Sequence, residues 1–177
     1  MSNLFLGSVT ERSGKSMIAL GLAKNGRGKV GYFKPFREVI MGHEGRLYDQ
    51  DAHLMKWALG LKWTEEELSP FVYDASRPVT LDDIVAQCDR LREGADDMLI
   101  EGTRDIFTGC MGGVSGLTIA RAVSAPVVLV SSATLPGLDK ICMLRKAMEQ
   151  HSQKFRGVIL NNVSDPGPGR RRCSVSP

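Results

Sequence analysis

The sequence predicts a three-layer α/β fold, a mostly parallel sheet covered by helices on both faces. Three observations predict it. Short continuous apolar runs (4–6, 98–100, 127–130) alternate with segments of helical periodicity, the pattern of strands buried on both faces by crossover helices. Each run ends in glycine or polar residues, namely Gly7, Lys34-Pro35, Glu101-Gly102, Ser131-Ser132 and Asn161-Asn162. Right-handed crossovers gather those ends on one edge, where open α/β sheets bind ligands. Finally, a glycine- and serine-containing loop separates the first strand from the first helix.

The elements follow in order. Residues 4–6 form a first strand ending at Gly7, and 16–24 a helix carrying Met17, Ile18, Leu20 and Leu22 that stops at Asn25-Gly26, a usual helix exit. Residues 29–33 form the second strand. The stretch 37–50 has little periodicity and reads as a surface loop. Residues 51–61 place Leu54, Met55, Ala58 and Leu59 at helical spacing. Residues 80–92 form the clearest helix, with Thr80 as N-cap, Asp82 and Asp83 at the positive end of the dipole, and Leu81, Ile84, Val85, Cys88 and Leu91 in one stripe. The third strand, 98–100, ends at Glu101. A helix over 115–123 and a strand over 127–130 come next. A helix over 138–151 places Leu138, Ile141, Cys142 and Met148 on its core side, and a fifth strand over 157–160 ends at Asn161.

Composition narrows the function. With 177 residues and 42% hydrophobic content the chain supports one compact core, since a domain of about 150 residues already buries roughly 70% of its unfolded surface. No apolar run approaches the roughly 20 residues of a membrane span, and the N-terminus lacks the pattern of a secretory leader. A soluble, cytoplasmic protein without membrane association is expected. The net charge is +3, and Arg170, Arg171 and Arg172 supply as much as that. The body is therefore near neutral, and no nucleic-acid partner is expected. The cysteines at 88, 110, 142 and 173 are widely spaced, and His43, His53 and His151 form no H-x-x-x-H pair, which excludes a zinc ribbon and a histidine metal site. Cys88 and Cys142 read as small core residues.

The strongest chemical signal is Gly7-Ser8-Val9-Thr10-Glu11-Arg12-Ser13-Gly14-Lys15-Ser16. It lies between strand and helix, the context that a phosphate loop requires. Glycine lets the backbone approach closely, and successive N–H groups at a helix start form a concave anion site. Lys15 supplies a point charge for the outer phosphates and the Ser16 hydroxyl a ligand for Mg2+. The spacing departs from G-x-x-x-x-G-K-[ST], because Val9 stands where the first glycine belongs. Glu101, closing the third strand, is a candidate metal carboxylate, and the Gly102 after it would admit a ligand. Asp51 is a candidate third oxygen. Lys34 is a second cation, aimed into the active edge by the proline after it.

Taken together, these residues are similar to the dethiobiotin synthetase-like P-loop ATPases, a group that includes cobyrinic acid synthases and the N-terminal domain of long phosphate acetyltransferases. The resemblance rests on the first loop, Gly31-Tyr32-Phe33-Lys34-Pro35, Asp51-Ala52, Ile100-Glu101-Gly102, the 125–130 strand and Gly157-Val158-Ile159-Leu160-Asn161. It runs in order over about residues 3 to 165. It implies a P-loop NTPase-like fold lacking its C-terminal elements, with a nucleotide-binding domain over 1–165 and a disordered or non-native tail over 166–177. It also implies ATP and Mg2+ as cofactors. Thr10, Glu11, Ser13, Gly14, Lys15, Ser16 and Asn161 would contact nucleotide, the last reading adenine. Ser16, Asp51 and Glu101 would hold the metal, and Lys15 and Lys34 would be catalytic.

Two departures fall on the acceptor side. Phe36, Arg37 and Glu38 stand where the synthetase has small residues, and Thr103-Arg104-Asp105-Ile106-Phe107 replaces a glycine-rich segment. Two functions therefore stay open. One is an ATP-dependent ligase that activates a carboxylate or carbamate of a small-molecule acceptor. The other is a non-catalytic nucleotide-sensing domain. A dehydrogenase is excluded, because no G-x-G-x-x-G opens the first helix. Abbreviation after the fifth strand would leave an open sheet edge or apolar surface, so a homo-oligomer, most simply a dimer, is expected.

Overall fold

The computed structural model describes residues 2–43, 45–74 and 76–163. Its five-stranded sheet is parallel throughout, in the order β2-β5-β1-β6-β7. The strands are β1 (Ser2–Ser8), β2 (Val30–Phe33), β5 (Asp97–Glu101), β6 (Val127–Ser132) and β7 (Phe155–Asn161). Helix α1 (Lys15–Lys24) joins β1 to β2, α4 (Leu81–Leu91) leads into β5, and α5 (Gly116–Ala122) and α6 (Leu135–Gln150) precede β6 and β7. The apolar runs read as strands fill the interior. Phe5, Leu6, Phe33, Ile100, Leu129 and Val130 are all fully buried, each contributing roughly 1.5–3 kcal/mol of apolar transfer.

The order explains where a ligand can sit. From β1 the chain crosses over β5 to reach β2, and from β5 it crosses back over β1 to reach β6. The direction of winding therefore reverses at β1, and a crevice opens beyond the carboxyl end of that strand. Register places the polar strand ends together there, with Leu6 paired to Glu101, Ser8 to Val130, and Ser132 to Asn161.

Between β2 and α4 the structure differs from the sequence expectation. Residues 37–50 are not a loop. They contain an antiparallel hairpin, β3 (Ile40–His43) and β4 (Arg46–Asp49), running directly into α2 (Gln50–Leu59). Ile40, Met41 and Leu47 of the hairpin are exposed, so it buries no continuous face and leaves no periodic signal. A single-turn helix, α3 (Glu65–Leu68), follows. Helix α6 begins at Leu135, with Thr134 capping Gly137 N–H. Its buried stripe is Gly137, Ile141, Leu144 and Met148, so Cys142 is exposed rather than a core residue, whereas Cys88 is buried as expected.

Strand β7 lies at the margin of the sheet, and Val158 and Leu160 on it are partly exposed. The tail assigned to 166–177 lies outside the described residues. Among the described residues no helix is long and apolar enough to cross a membrane.

Candidate phosphate-loop site

The site is built on the carboxyl end of β1. Past Gly7, Ser8 is fixed on two sides, its hydroxyl donating to Arg104 O at 2.7 Å and its carbonyl accepting from Ile106 N–H at 2.8 Å. Val9, in the place where a glycine is usual, is buried and its N–H reaches Val130 O at 3.2 Å. The loop then turns through two residues of positive φ, Arg12 and Gly14. At Gly14 a Cβ would stand 2.2 Å from Asn161 Nδ2, and φ is +83°, so only glycine fits.

Helix α1 starts directly from Gly14 with no side-chain cap. The other five α-helices of the described residues all have one, from Asp49, Thr64, Thr80, Ser115 and Thr134. The first N–H groups of α1 have no partner within the helix and no side chain to replace one. The hydroxyls of Thr10 and Ser13 are likewise buried without a hydrogen-bond partner. Glu11 and Arg12 are exposed at the loop tip.

Glu101 is the hub of the site. Fully buried, it accepts from Lys15 Nζ at 3.0 Å and Ser16 Oγ at 2.7 Å on Oε1, and from Tyr32 OH at 2.8 Å on Oε2. The sequence reading brought Lys15, Ser16 and Glu101 together but overlooked Tyr32. The signal was available, since Tyr32 lies near the carboxyl end of β2, two residues before Lys34 and on the edge where the strand ends gather. Burial raises the Tyr32 hydroxyl well above the usual tyrosine pKa, and the carboxylates of Glu101, Asp51 and Asp49 add to the shift. It therefore remains a donor. Tyr32→Phe leaves the carboxylate one donor short and should lower unfolding stability by about 1.5–3 kcal/mol, the range for a hydrogen bond to a charged group, measured by urea denaturation.

Gly102 has a different role from the one expected. A Cβ there would lie 2.9 Å from Phe5 Cζ and 3.3 Å from Leu6 O. Packing against β1, not access for a ligand, accounts for the glycine.

Lys34 is fully buried rather than presented at a surface. Its ammonium meets both oxygens of Asp49 at 3.1 Å, Asp51 Oδ2 at 2.6 Å and Glu38 Oε2 at 3.4 Å. Burial alone would lower its pKa, but Asp49, Glu101 and Asp51 outweigh that and raise it far above the ordinary lysine value. Asp49 also caps α2 by accepting from Asp51 and Ala52 N–H, and so joins the hairpin, the helix and β2. Asp51 is thus held on Lys34. The pair of hard oxygens brought side by side is Ser16 Oγ and Glu101 Oε1.

Just past Lys34-Pro35, Phe36 is buried, with Tyr73 stacked on it at 3.9 Å between ring centroids and Phe71 at 6.1 Å. Arg37 is tied to Ser69 O and Leu47 O. The bulky departures are therefore packed structural residues. A cleft of about 490 Å³ runs along the loop, bounded on its other wall by Glu38, Val39, Asp51 and Arg104. Asn161 Nδ2 donates to Ser13 O at 2.9 Å, which ties the end of β7 to the loop.

Comparison with known proteins places the chain in a family. A model of the AAA domain family matches residues 2–176. The chain belongs to this family, that of the dethiobiotin synthetase-like P-loop ATPases. Its relatives include a phosphate acetyltransferase of Synechocystis sp., 26% identical over 92% of this chain and 25% of that protein. A cobyrinate a,c-diamide synthase of Magnetococcus marinus is 30% identical over 95% of this chain and 33% of that protein. The chain thus spans a quarter to a third of the length of these relatives. Among solved structures, a nucleotide-binding protein in complex with ADP from Archaeoglobus fulgidus aligns over 97% of this chain and 71% of its own, with a TM-score of 0.42 and 16% identity.

Proposed function

We propose that this P-loop domain binds ATP with Mg2+ on the loop from Thr10 to Ser16. The observation that carries the reading is the uncapped start of α1 at Gly14-Lys15-Ser16, set at the reversal point of the sheet with two unpartnered hydroxyls beside it. Such an end is a ready anion site. The phosphates would rest on the loop amides, with Thr10, Glu11 and Ser13 along the loop and Lys15 as point charge. Asn161, tied to the loop, would border the base.

The donor set fits magnesium, which takes one or two protein oxygens and completes its shell with water and phosphate. Ser16 Oγ and Glu101 Oε1 are such a pair, and Asp51 would act through water while paired with Lys34. When bound, the ion would neutralise phosphate charge. This chain's own contribution is to hold Lys15, Ser16 and Glu101 in fixed relation, so that positive charge stands where negative charge develops. Lys34 would serve from behind, by fixing Asp51 and Glu38.

In the first reading the domain activates a carboxylate or carbamate of a small acceptor by phosphoryl transfer, as an ATP-dependent ligase. A second reading, nucleotide sensing without turnover, is favoured by the Phe36–Tyr73 stack and the three carboxylates holding Lys34. ADP release measured with small carboxylates and diamines separates the two, since release at background with every acceptor supports sensing. The proposal extends to a cytoplasmic homo-oligomer of a single nucleotide-binding domain over 1–165, for which the exposed Val39, Ile40, Met41, Leu47 and Trp57 offer apolar surface.

The nucleotide claim is tested by thermal unfolding. ATP with Mg2+ at 100 times its Kd stabilises by about 2.7 kcal/mol and should raise the melting temperature by several degrees, a gain that Lys15→Ala removes. No shift of the wild-type protein at millimolar nucleotide overturns the reading.

A further inference from the structure

The loop cleft has a second wall, formed by the segments after β2 and β5, and its charges are not balanced alike. Asp51 and Glu38 are both engaged by Lys34. Arg104 is exposed on the same wall, and among the described residues no carboxylate pairs with its guanidinium. Its backbone, in contrast, is held from both sides. Ser8 Oγ donates to Arg104 O at 2.7 Å, and Arg104 N–H donates to Glu38 Oε1. The residues that follow are equally fixed. Asp105 Oδ1 accepts from Phe107 and Thr108 N–H, and Ile106 N–H is bonded to Ser8 O.

Ser8 is the residue from which the phosphate loop departs. Arg104 is therefore anchored directly to the root of that loop, and it lines the same cleft as the loop with no carboxylate on its guanidinium among the described residues. A planar fork of donors on a fixed backbone loses little entropy when it engages an oxyanion. It lines the same cleft as Lys15 and Arg12, and whereas Lys15 is paired with Glu101, and Glu38 and Asp51 with Lys34, Arg104 has no such carboxylate among the described residues.

We propose that Arg104 contacts the terminal phosphate of a nucleoside triphosphate and makes the site prefer triphosphate to diphosphate. The assignment rests on the nucleotide reading above and adds a specificity-determining residue to it.

The test is equilibrium binding of ATP and of ADP, each with Mg2+, to the wild-type protein, Arg104→Ala and Arg104→Lys. Because Arg104 is exposed, the variants should melt with the wild type, which is checked first. Arg104→Ala should weaken ATP by about tenfold or more, as for loss of a charge-assisted fork, and ADP by less than about twofold. Arg104→Lys, which keeps the charge without the fork, should fall between. An ATP-to-ADP affinity ratio unchanged in Arg104→Ala overturns the assignment and leaves the nucleotide reading standing. Failure of the wild-type protein to bind either nucleotide overturns both.

Discussion

Lys34→Met should destabilise the domain by about 3–5 kcal/mol, the cost of leaving buried charge without its partner. The side chain is fully buried, and Asp49 opposite it is equally buried. Methionine retains the apolar stem but removes the ammonium that three carboxylates share. Asp49 retains its hydrogen bonds from Glu38, Asp51 and Ala52 N–H, which is why the structure should weaken rather than fail. Lys34→Met with Asp49→Asn removes charge from both sides and should recover part of the loss. The sign with pH is set by the raised pKa of Lys34. The folded state holds the proton more tightly than the unfolded chain. Its contribution is therefore complete below the ordinary lysine pKa and is lost as pH rises through the folded value. Chemical denaturation at pH 6 and at pH 8 should accordingly show the same difference between wild type and variant.

The second large effect is expected at Glu101. Glu101→Leu strands the nearly buried Lys15 ammonium and the Tyr32 hydroxyl together. A loss of about 3–5 kcal/mol follows, read from denaturant midpoints. A separate readout distinguishes this from simple loss of packing. Glu101→Gln keeps shape and one acceptor, and so should be milder in stability, yet it removes the carboxylate charge. Nucleotide binding by Glu101→Gln should lose its dependence on Mg2+ while binding without metal persists.

Much of this was legible in the sequence, and the reasons differ by element. The strands were readable because they are buried on both faces, which leaves uninterrupted apolar runs. Thr80 and Asp83 announced α4, and both halves of that capping box are present. Lys15, Ser16 and Glu101 could be joined because a parallel sheet must bring strand ends to one edge. The hairpin over 40–49 was invisible, since a ribbon that buries neither face needs no alternation. The burial of Lys34 depends on Asp49 and Asp51, which reach it through that hairpin, so a correct reading of one required the other. Cys142 was misplaced by helix phase. Capping at Thr134 starts α6 three residues early, and the stripe through 137, 141, 144 and 148 passes it by. Gly102 looked like room for a ligand because only three-dimensional packing reveals Phe5 beside it.

A crystal structure with ATP and Mg2+ decides whether the loop before α1 holds a polyphosphate. Phosphate oxygens should lie within hydrogen-bonding distance of the amides around Gly14, with Lys15 Nζ drawn from Glu101 to the phosphates. Nucleotide bound elsewhere, or a loop still empty with Lys15 paired to Glu101, would contradict this.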